Sequence, residues 1–296
     1  MEYLGVLFPQ RPRRALARLF ATGRVRSAGF PVGAKRTVRE LRDLVLVGGF
    51  EGVPEIFTTG QECGVAVLHE NAHVTVLDKP SGVPVVPDRA GGRESCLGYV
   101  LLRELDCRVT KTVAQYVRPR IAHRIDRLTS GLVIIARTPE AERGLGKYFE
   151  AGMVRKEYLT ILRGCVDSLK TTVNCPIAPG RKGRMRVGPE GKSAQTEFEV
   201  VERLGEWTLA VARPRTGRTH QIRVHAFAMG HPVADDPLYG RDPVSGDPRQ
   251  GLVGRLALHA WRYSLPEEWP EMRSFLCPPP ADFTAALRRL RGGGES

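Results

Sequence analysis

The alternation of apolar and polar residues after position 64 predicts β-strands. Residues 65–87, VAVLHENAHVTVLDKPSGVPVVP, alternate around a turn at Asn71, which predicts a hairpin that runs into a Pro/Gly loop. Residues 194–214, AQTEFEVVERLGEWTLAVARP, predict a second hairpin. LVIIAR and KEYLTILRG read as single strands, the first of them buried on both faces.

Helices are fewer, and their ends are marked in the sequence. Thr138 supplies an N-cap, Pro139 suits the first helical position and Gly152 provides a stop, so a helix is expected over about 139–150. THQIRVHAFAMG and FTAALRRLRGGG predict two more helices. Strands joined largely by hairpins, with few helices, indicate an α+β fold around a mostly antiparallel sheet.

The charge is concentrated near the start of the chain. The 296 residues include 45 Lys and Arg against 32 Asp and Glu, a net charge of +13. Residues 1–50 alone carry ten basic residues against three acids, a net of +7. This excess favours a polyanionic partner, nucleic acid first. An anionic membrane is the alternative, but no basic amphipathic helix stands out and no uncharged apolar run approaches the roughly 20 residues of a membrane span.

Residues 1–50 predict a separate module of two short helices, a basic turn and two or three strands. This order resembles the S-four-type RNA-binding domain, and the resemblance implies RNA contacts at Arg13, Arg14 and Arg24. An Arg-rich organelle transit peptide is the alternative for RPRRALARLFATGRVRSAGF. We expect a linker at 51–64 and a second domain at 65–296.

Cysteine spacing narrows the class of protein. Six cysteines occur without any C-x-x-C pair, which argues against a zinc ribbon or a thioredoxin-type site. We interpret the cysteines as reduced thiols in an intracellular protein. No secretory signal is evident, so we expect a cytoplasmic protein, with a mitochondrion or plastid as the alternative.

Two distant segments are dense in Arg and His. RIAHRIDRLTS places Asp126 between Arg124 and Arg127, just before a buried strand, while RPRTGRTHQIRVHAFAMGHPV begins at residue 213. A structural ion pair is one interpretation of Asp126. Two such turns at strand ends are also typical of one shared cleft.

Other chemistries are less well supported. A metal hydrolase would use His220, His225 and Asp236, but the five-residue spacing differs from H-E-x-x-H and no Glu lies between the histidines. Ser130 lacks the G-x-S-x-G context of a hydrolase nucleophile. No glycine fingerprint of a nucleotide site is present. A lone carboxylate with cationic neighbours remains.

HRIDRLTSGLVIIAR resembles the H-R-L-D-R-x-T-S-G signature of the large ribosomal (RluA-type) family of RNA pseudouridine synthases, with Ile125 in place of leucine. LDKPSGVPV, RKEYLTILRG, PRTGRTHQIRVHAFAMGHPVADDPLYG and LALHAWRYSLP follow in the family's order. One departure is Asp235, where the family more often has glycine, so a tight turn is expected to differ there.

The resemblance implies a role for each matching residue. Asp126 would be the nucleophile, Tyr158 would pack on the target base and assist proton removal, and Arg223 would pair with Asp126. Arg124 would fill the space that a flipped nucleotide leaves. Further RNA contacts are expected at four positions: Lys79, Arg127, Arg218 and His220. A surface role for Lys79 stays open.

The partners follow from the same resemblance. The substrate would be RNA, with ribosomal RNA favoured and transfer RNA the alternative, and the protein is expected to be a monomer. The isomerisation needs no metal or cofactor. A non-catalytic RNA-binding or ribosome-assembly protein is the second hypothesis; it predicts loss of Asp126, Tyr158 or Arg223, yet all three are present.

Overall fold

The computed structural model describes residues 65–86, 120–240, 251–270 and 272–292, together with the backbone of three short strands nearer the N-terminus. By their contacts the residues form two units, 1–64 with 84–120 and 65–83 with 121–296. In the first unit, strands β1 (Val25–Ser27), β2 (Phe30–Pro31) and β3 (Val45–Leu46) form an antiparallel sheet in the order β2-β1-β3. The two short helices predicted within residues 1–50, the linker at 51–64 and the S-four-type assignment lie outside the described residues and stay predictions.

The second unit is built on one large sheet. Its strands and helices, in chain order, are β4 (Ala66–Glu70), β5 (Val74–Lys79), β6 (Arg120–Ile121), β7 (Ser130–Ala136), α1 (Pro139–Glu150), β8 (Arg155–Arg163), β9 (Lys170–Asn174), β10 (Ile177–Pro179), β11 (Met185–Val187), β12 (Gln195–Leu204), β13 (Trp207–Pro214), α2 (Gln221–Ala228), β14 (Leu258–Ser264), β15 (Ser274–Leu276) and α3 (Ala281–Leu290). A short 3-10 helix, Arg181–Gly183, lies between β10 and β11.

The main path of the large sheet runs β4-β5-β7-β14-β8-β13-β12-β9, and β15 adds to β14. Its neighbours pair antiparallel except for β7 with β14, which are parallel. Strands β10 and β11 form a separate antiparallel hairpin. The predicted α+β class with a mostly antiparallel sheet is therefore confirmed, and so are both predicted hairpins.

Strand β7 lies in the core, and all seven of its residues are buried. Gly131 is required where β7 meets β14, because a Cβ atom at this position would lie 2.3 Å from the backbone oxygen of Ala260. Its φ of +105° is also one that only glycine adopts readily. The parallel pairing of the two central strands thus depends on the glycine of the T-S-G segment.

Helix α1 has the predicted bounds. The hydroxyl of Thr138 accepts a hydrogen bond from the amide of Ala141 at 3.1 Å, and Pro139 begins the helix. Gly152 follows with a φ of +70°. Of the residues that the structure describes, none belongs to a helix long and apolar enough to cross a membrane.

Candidate active site

A cleft of about 410 Å³ brings the two Arg/His-rich segments together. Its lining includes Arg124 and Asp126 from the loop before β7, and Arg218 and Arg223 from the turn and helix after β13. Tyr158 of β8 contributes to the wall. The shared cleft that the sequence predicts is therefore present.

Arg223 connects two aspartates at this cleft. Its Nε and Nη2 each lie 2.7 Å from one carboxylate oxygen of Asp236, which makes a bidentate pair. Its Nη1 lies 3.3 Å from Oδ2 of Asp126. Burial lowers the pKa of the Arg223 guanidinium, but the bonds to Asp236 and the charge of Asp126 raise it overall, so the cation is maintained.

The two aspartates differ in their surroundings. The Asp236 side chain is 0% exposed, and Oδ1 also accepts hydrogen bonds from the amides of Leu238 and Tyr239 at 2.9 and 3.1 Å. The Asp126 side chain is 21% exposed, and among the described residues its carboxylate has one contact, the longer one with Arg223. Asp236 therefore fixes the guanidinium, and Asp126 remains accessible from the cleft. Asp126 pairs with Arg223 as the family resemblance implies.

The loop that carries Asp126 is held by the segment after β5. The Ser81 hydroxyl donates to the backbone oxygen of Leu128 at 2.7 Å, and the Gly82 amide donates to that of Arg127 at 2.9 Å. Nε of Arg127 donates in return to the backbone oxygen of Gly82 at 2.9 Å. The KPSGV and HRIDR motifs thus form one interlocked pair of loops.

Lys79 requires a correction. Its side chain is fully buried, and Nζ donates to the backbone oxygens of Pro80, Val83 and Arg127 at 2.7, 2.8 and 3.1 Å. Burial lowers the pKa of Lys79 to about 7. Because an ammonium has three N–H donors and all three are used, no donor is left for an RNA phosphate. Lys79 stabilises the loop and is not an RNA contact.

Tyr158 lies on β8 with only 8% of its surface exposed. Its hydroxyl oxygen lies 2.7 Å from that of Tyr263 on β14. Burial raises the pKa of both phenols well above the ordinary value, so both are neutral near neutral pH. The sequence did not single out Tyr263, although it lies in the quoted LALHAWRYSLP segment.

Lys156 is a second residue that sequence reasoning missed. It lines the cleft, is 8% exposed, and its Nζ donates to the backbone oxygen of Thr216 at 3.2 Å. Burial lowers the pKa of Lys156 to about 8. Its position two residues before Tyr158 is a usable signal, because side chains at i and i+2 of a strand share one face.

The turn before α2 presents Arg218 and His220. Oε1 of Gln221 accepts hydrogen bonds from the Thr216 hydroxyl at 2.6 Å and from the Arg218 amide at 3.0 Å, which fixes the turn. Arg218 is exposed, and its Nε donates to the backbone oxygen of Ser193 at 3.0 Å. His220 takes a φ of +55°, and its Nδ1 lies 3.0 Å from the Tyr239 hydroxyl. Burial lowers the pKa of His220.

Both ring nitrogens of His225, which was considered as a metal ligand, have hydrogen-bond partners. Its ring is buried between the Thr196 hydroxyl and the backbone oxygen of Cys175, each at 2.9 Å. Burial lowers the pKa of His225, which favours the neutral ring. Among the described residues, no three or more His, Cys, Asp and Glu side chains are grouped to hold a metal ion.

Asp235 shows how the turn accommodates a residue other than glycine. Its φ of +55° lies in the left-handed region, which glycine adopts most easily and Asp tolerates. Its carboxylate accepts hydrogen bonds from the amides of Leu252, Val253 and Gly254 at 2.7 to 3.0 Å. These bonds compensate for the less favourable backbone and connect the turn to the start of the segment before β14.

Of the other residues with a predicted role, Arg124 and Arg127 are exposed beside Asp126. Arg13, Arg14 and Arg24 lie outside the described residues, so their RNA contacts stay predictions. The three cysteines that the structure describes, Cys165, Cys175 and Cys277, are free thiols.

Comparison with known proteins agrees with the family resemblance of the sequence motifs. The chain is 35% identical over 233 residues to the ribosomal large subunit pseudouridine synthase D of Nitrosomonas europaea, covering 76% of this chain and 65% of that protein. The chain therefore spans just under two thirds of that relative. Identity to the protein of the same name in Pseudomonas aeruginosa is 33% over 302 residues, covering 98% and 91% of the two chains.

A solved structure and a family model agree with these relatives. The structure of human RNA pseudouridylate synthase domain containing 4 has a TM-score of 0.62 and 22% identity, and the match covers 76% of this chain and 93% of that one. This likeness shows a shared fold. The model of the RNA pseudouridylate synthase family matches residues 73–228, which is more than half of the chain. The chain therefore belongs to the RNA pseudouridylate synthase family.

Proposed function

We propose that this protein isomerises specific uridines of structured RNA to pseudouridine. The observation that carries the proposal is the accessible carboxylate of Asp126, held 3.3 Å from a buried arginine in a cleft whose wall includes Tyr158. The two bacterial relatives are named for the large ribosomal subunit. This supports ribosomal RNA as the substrate, with transfer RNA as the second class.

The reaction breaks the bond between C1′ of the ribose and N1 of uracil, rotates the base and joins C1′ to C5. The hydrogen on C5 is lost as a proton and N1 gains one, so no electrons are exchanged with another molecule. The requirements are a nucleophile, a site for a rotated base and an environment that limits water. We assign the nucleophile to Asp126.

The surroundings of Asp126 suit that role. A nucleophilic carboxylate must be ionised and must keep lone pairs free for attack. The bidentate pair of Arg223 is made with Asp236, and within the described part of the chain Asp126 receives one longer contact. Arg223 can therefore orient Asp126 without occupying the whole carboxylate.

Binding requires the target base to leave its stack, which costs a few kcal/mol. The ring of Tyr158 in the cleft wall offers a surface on which the base can stack, and such stacking typically recovers about 1–3 kcal/mol per base. Arg124 is exposed beside Asp126, and we assign it to the space that the nucleotide leaves. We assign contacts with RNA phosphates to Arg127, Arg218 and His220.

We also propose that the basic N-terminal module binds RNA through Arg13, Arg14 and Arg24. Each cation that contacts a phosphate releases counterions, so a triple change to Gln should weaken RNA binding and reduce the slope of log affinity against log salt by about 2–3. Filter binding at several salt concentrations measures both quantities. An unchanged slope would show that this module makes no phosphate contacts.

The activity is tested by tritium release. Ribosomal RNA of the source organism, transcribed with uridine tritiated at C5, should release tritium on incubation with the protein. Asp126→Asn should reduce the rate by more than about 10³-fold, as loss of a nucleophile does elsewhere. Asp167→Asn, at an exposed aspartate outside the cleft, is the matched control. Equal release by the Asp126 variant and the wild type would overturn the assignment.

A further inference from the structure

The hydroxyl pair of Tyr158 and Tyr263 joins the cleft wall to the core. Tyr263 is opposite Lys156 in the antiparallel pairing of β14 with β8, which makes Tyr158 its diagonal neighbour. The two ring centroids are 5.9 Å apart, and the two oxygens are 2.7 Å apart. The oxygen separation is that of a direct O–H···O hydrogen bond.

The two phenols carry two hydroxyl hydrogens, and one hydrogen bond between them uses only one. The other hydrogen needs an acceptor of its own, since a buried donor without a partner is costly. The position of this second hydrogen therefore depends on which tyrosine donates to the other. The surroundings of the two side chains distinguish the two directions.

The surroundings of Tyr263 disfavour a spare hydrogen on its hydroxyl. It is 0% exposed and does not line the cleft. The rings of His123 and Phe149 make edge contacts with its ring, at centroid distances of 5.4 and 6.4 Å. In the part of the chain that the structure describes, Tyr158 is the sole hydrogen-bond partner of its hydroxyl.

Tyr158 differs because it lines the cleft. We infer that Tyr263 is a positioning residue: it donates its hydroxyl hydrogen to Tyr158 and so leaves the hydroxyl hydrogen of Tyr158 for an acceptor at the cleft. Its importance for catalysis rests on the proposed function.

This direction changes the role of Tyr158. The family resemblance implies that Tyr158 assists removal of the C5 proton. With its own hydrogen directed to the cleft, the neutral phenol is instead a hydrogen-bond donor to an oxygen atom of the bound nucleotide. Burial raises the pKa of Tyr158, which agrees with a neutral phenol.

Kinetics on the tritiated RNA test the effect on the reaction. Tyr263→Phe should lower kcat about tenfold, because the Tyr158 hydroxyl loses its fixed orientation, and should change KM less than about twofold. Tyr148→Phe removes a phenol hydroxyl outside the cleft and should leave both constants unchanged. A kcat for Tyr263→Phe equal to that of the wild type would overturn the inference.

A double variant separates this role from general packing. If Tyr263 acts only through the Tyr158 hydroxyl, adding Tyr263→Phe to Tyr158→Phe should change kcat no further. If the two losses multiply, Tyr263 acts by another route and the inference is wrong.

The hydrogen itself is observable by neutron diffraction of the deuterated protein, without any activity. The deuterium between the two oxygens should be bonded to the Tyr263 oxygen, and a deuterium bonded to the Tyr158 oxygen would overturn the inference. Absence of tritium release from the wild type would instead count against the proposed function, so the two failures are distinguishable.

Discussion

Two arginines of the large unit each bind several carboxylates, and their surroundings differ. Arg213 on β13 donates from Nε to Glu157 at 2.8 Å and from Nη1 to Glu197 at 3.0 Å and to Glu199. Its side chain is 17% exposed, whereas that of Arg223 is 3% exposed. Arg223 binds Asp236 through two nitrogens and Asp126 through the third.

The origins of the acids explain the difference. The three glutamates lie on β8 and β12, the strands on either side of β13, and Glu197 is directly opposite Arg213 in the pairing. That cluster follows from strand pairing and stabilises neighbouring strands. Arg223 instead connects a helix with two separate loops, and it leaves one carboxylate accessible at a cleft. The Arg223 cluster therefore differs from the Arg213 cluster in having an acid, Asp126, that is accessible from the cleft.

The largest expected effect is on stability. Asp236→Ala removes both strong bonds of Arg223 and leaves two backbone amides without their acceptor, so the free energy of unfolding should fall by about 3–5 kcal/mol. Glu197→Ala should cost less than about 1 kcal/mol, because Glu197 is partly exposed and Arg213 keeps two other glutamates. Urea unfolding measures both. Equal losses would remove the distinction between the two clusters.

The next effect is on activity. Arg223→Lys cannot supply three coplanar donors to two aspartates, so tritium release should fall about 100-fold, equivalent to about 2.7 kcal/mol. Arg213→Lys should change the rate less than about threefold. If both substitutions lowered the rate equally, Arg223 would have no special relation to the reaction.

Lys156 lies between the two clusters, since it lines the cleft and also a small pocket beside Arg213. Burial lowers the pKa of Lys156 from 10.5 to about 8. Between these values the unfolded chain binds a proton that the folded protein has lost, so this lysine makes the free energy of unfolding rise with pH. The cost of its burial is fully present below pH 8 and declines above it.

The gain in the free energy of unfolding from Lys156→Met should therefore be larger at pH 7 than at pH 9.5. The gain should decline by about 1 kcal/mol per pH unit between the folded and unfolded pKa values of Lys156. Urea unfolding of both proteins at the two pH values measures it. A difference that does not change with pH would show that Lys156 titrates normally.

The smallest effect concerns the exposed Arg218 at the cleft. Arg218→Gln should reduce the slope of log RNA affinity against log salt by about 1, because it removes one phosphate contact. Arg143→Gln is the control, since Arg143 is exposed on α1 and paired with Glu140 at 3.0 Å. A control with the same effect would mean that only overall charge matters.

Much of the fold was predictable because local patterns suffice for it. The N-cap and proline that begin α1 act within one helical turn, and the alternation in β12 and β13 reflects one buried face. The association of Asp126 with Arg223 was predictable only through the family motifs. The partner of Arg223, Asp236, is 13 residues away in sequence and was considered only as a metal ligand.

Lys79 shows why the remainder was not predictable. A lysine beside a Pro/Gly loop suits a surface or a phosphate contact equally well in sequence. Its burial depends on three backbone oxygens, one of them 48 residues away, that surround the ammonium only after the loops assemble. Tyr263 is similar, because its hydroxyl partner lies 105 residues away on a neighbouring strand.

The sequence by itself determined the class of fold, the bounds of α1, the basic character of the N-terminal segment and that the two Arg/His-rich segments share one cleft. Those features depend on periodicity, capping, charge and contiguous motifs, which are local. Only the tertiary structure decided which carboxylate Arg223 binds firmly, that Lys79 is internal and that Tyr158 pairs with Tyr263. Each of these depends on burial and on distances between segments far apart in the chain, and neither quantity follows from the order of residues alone.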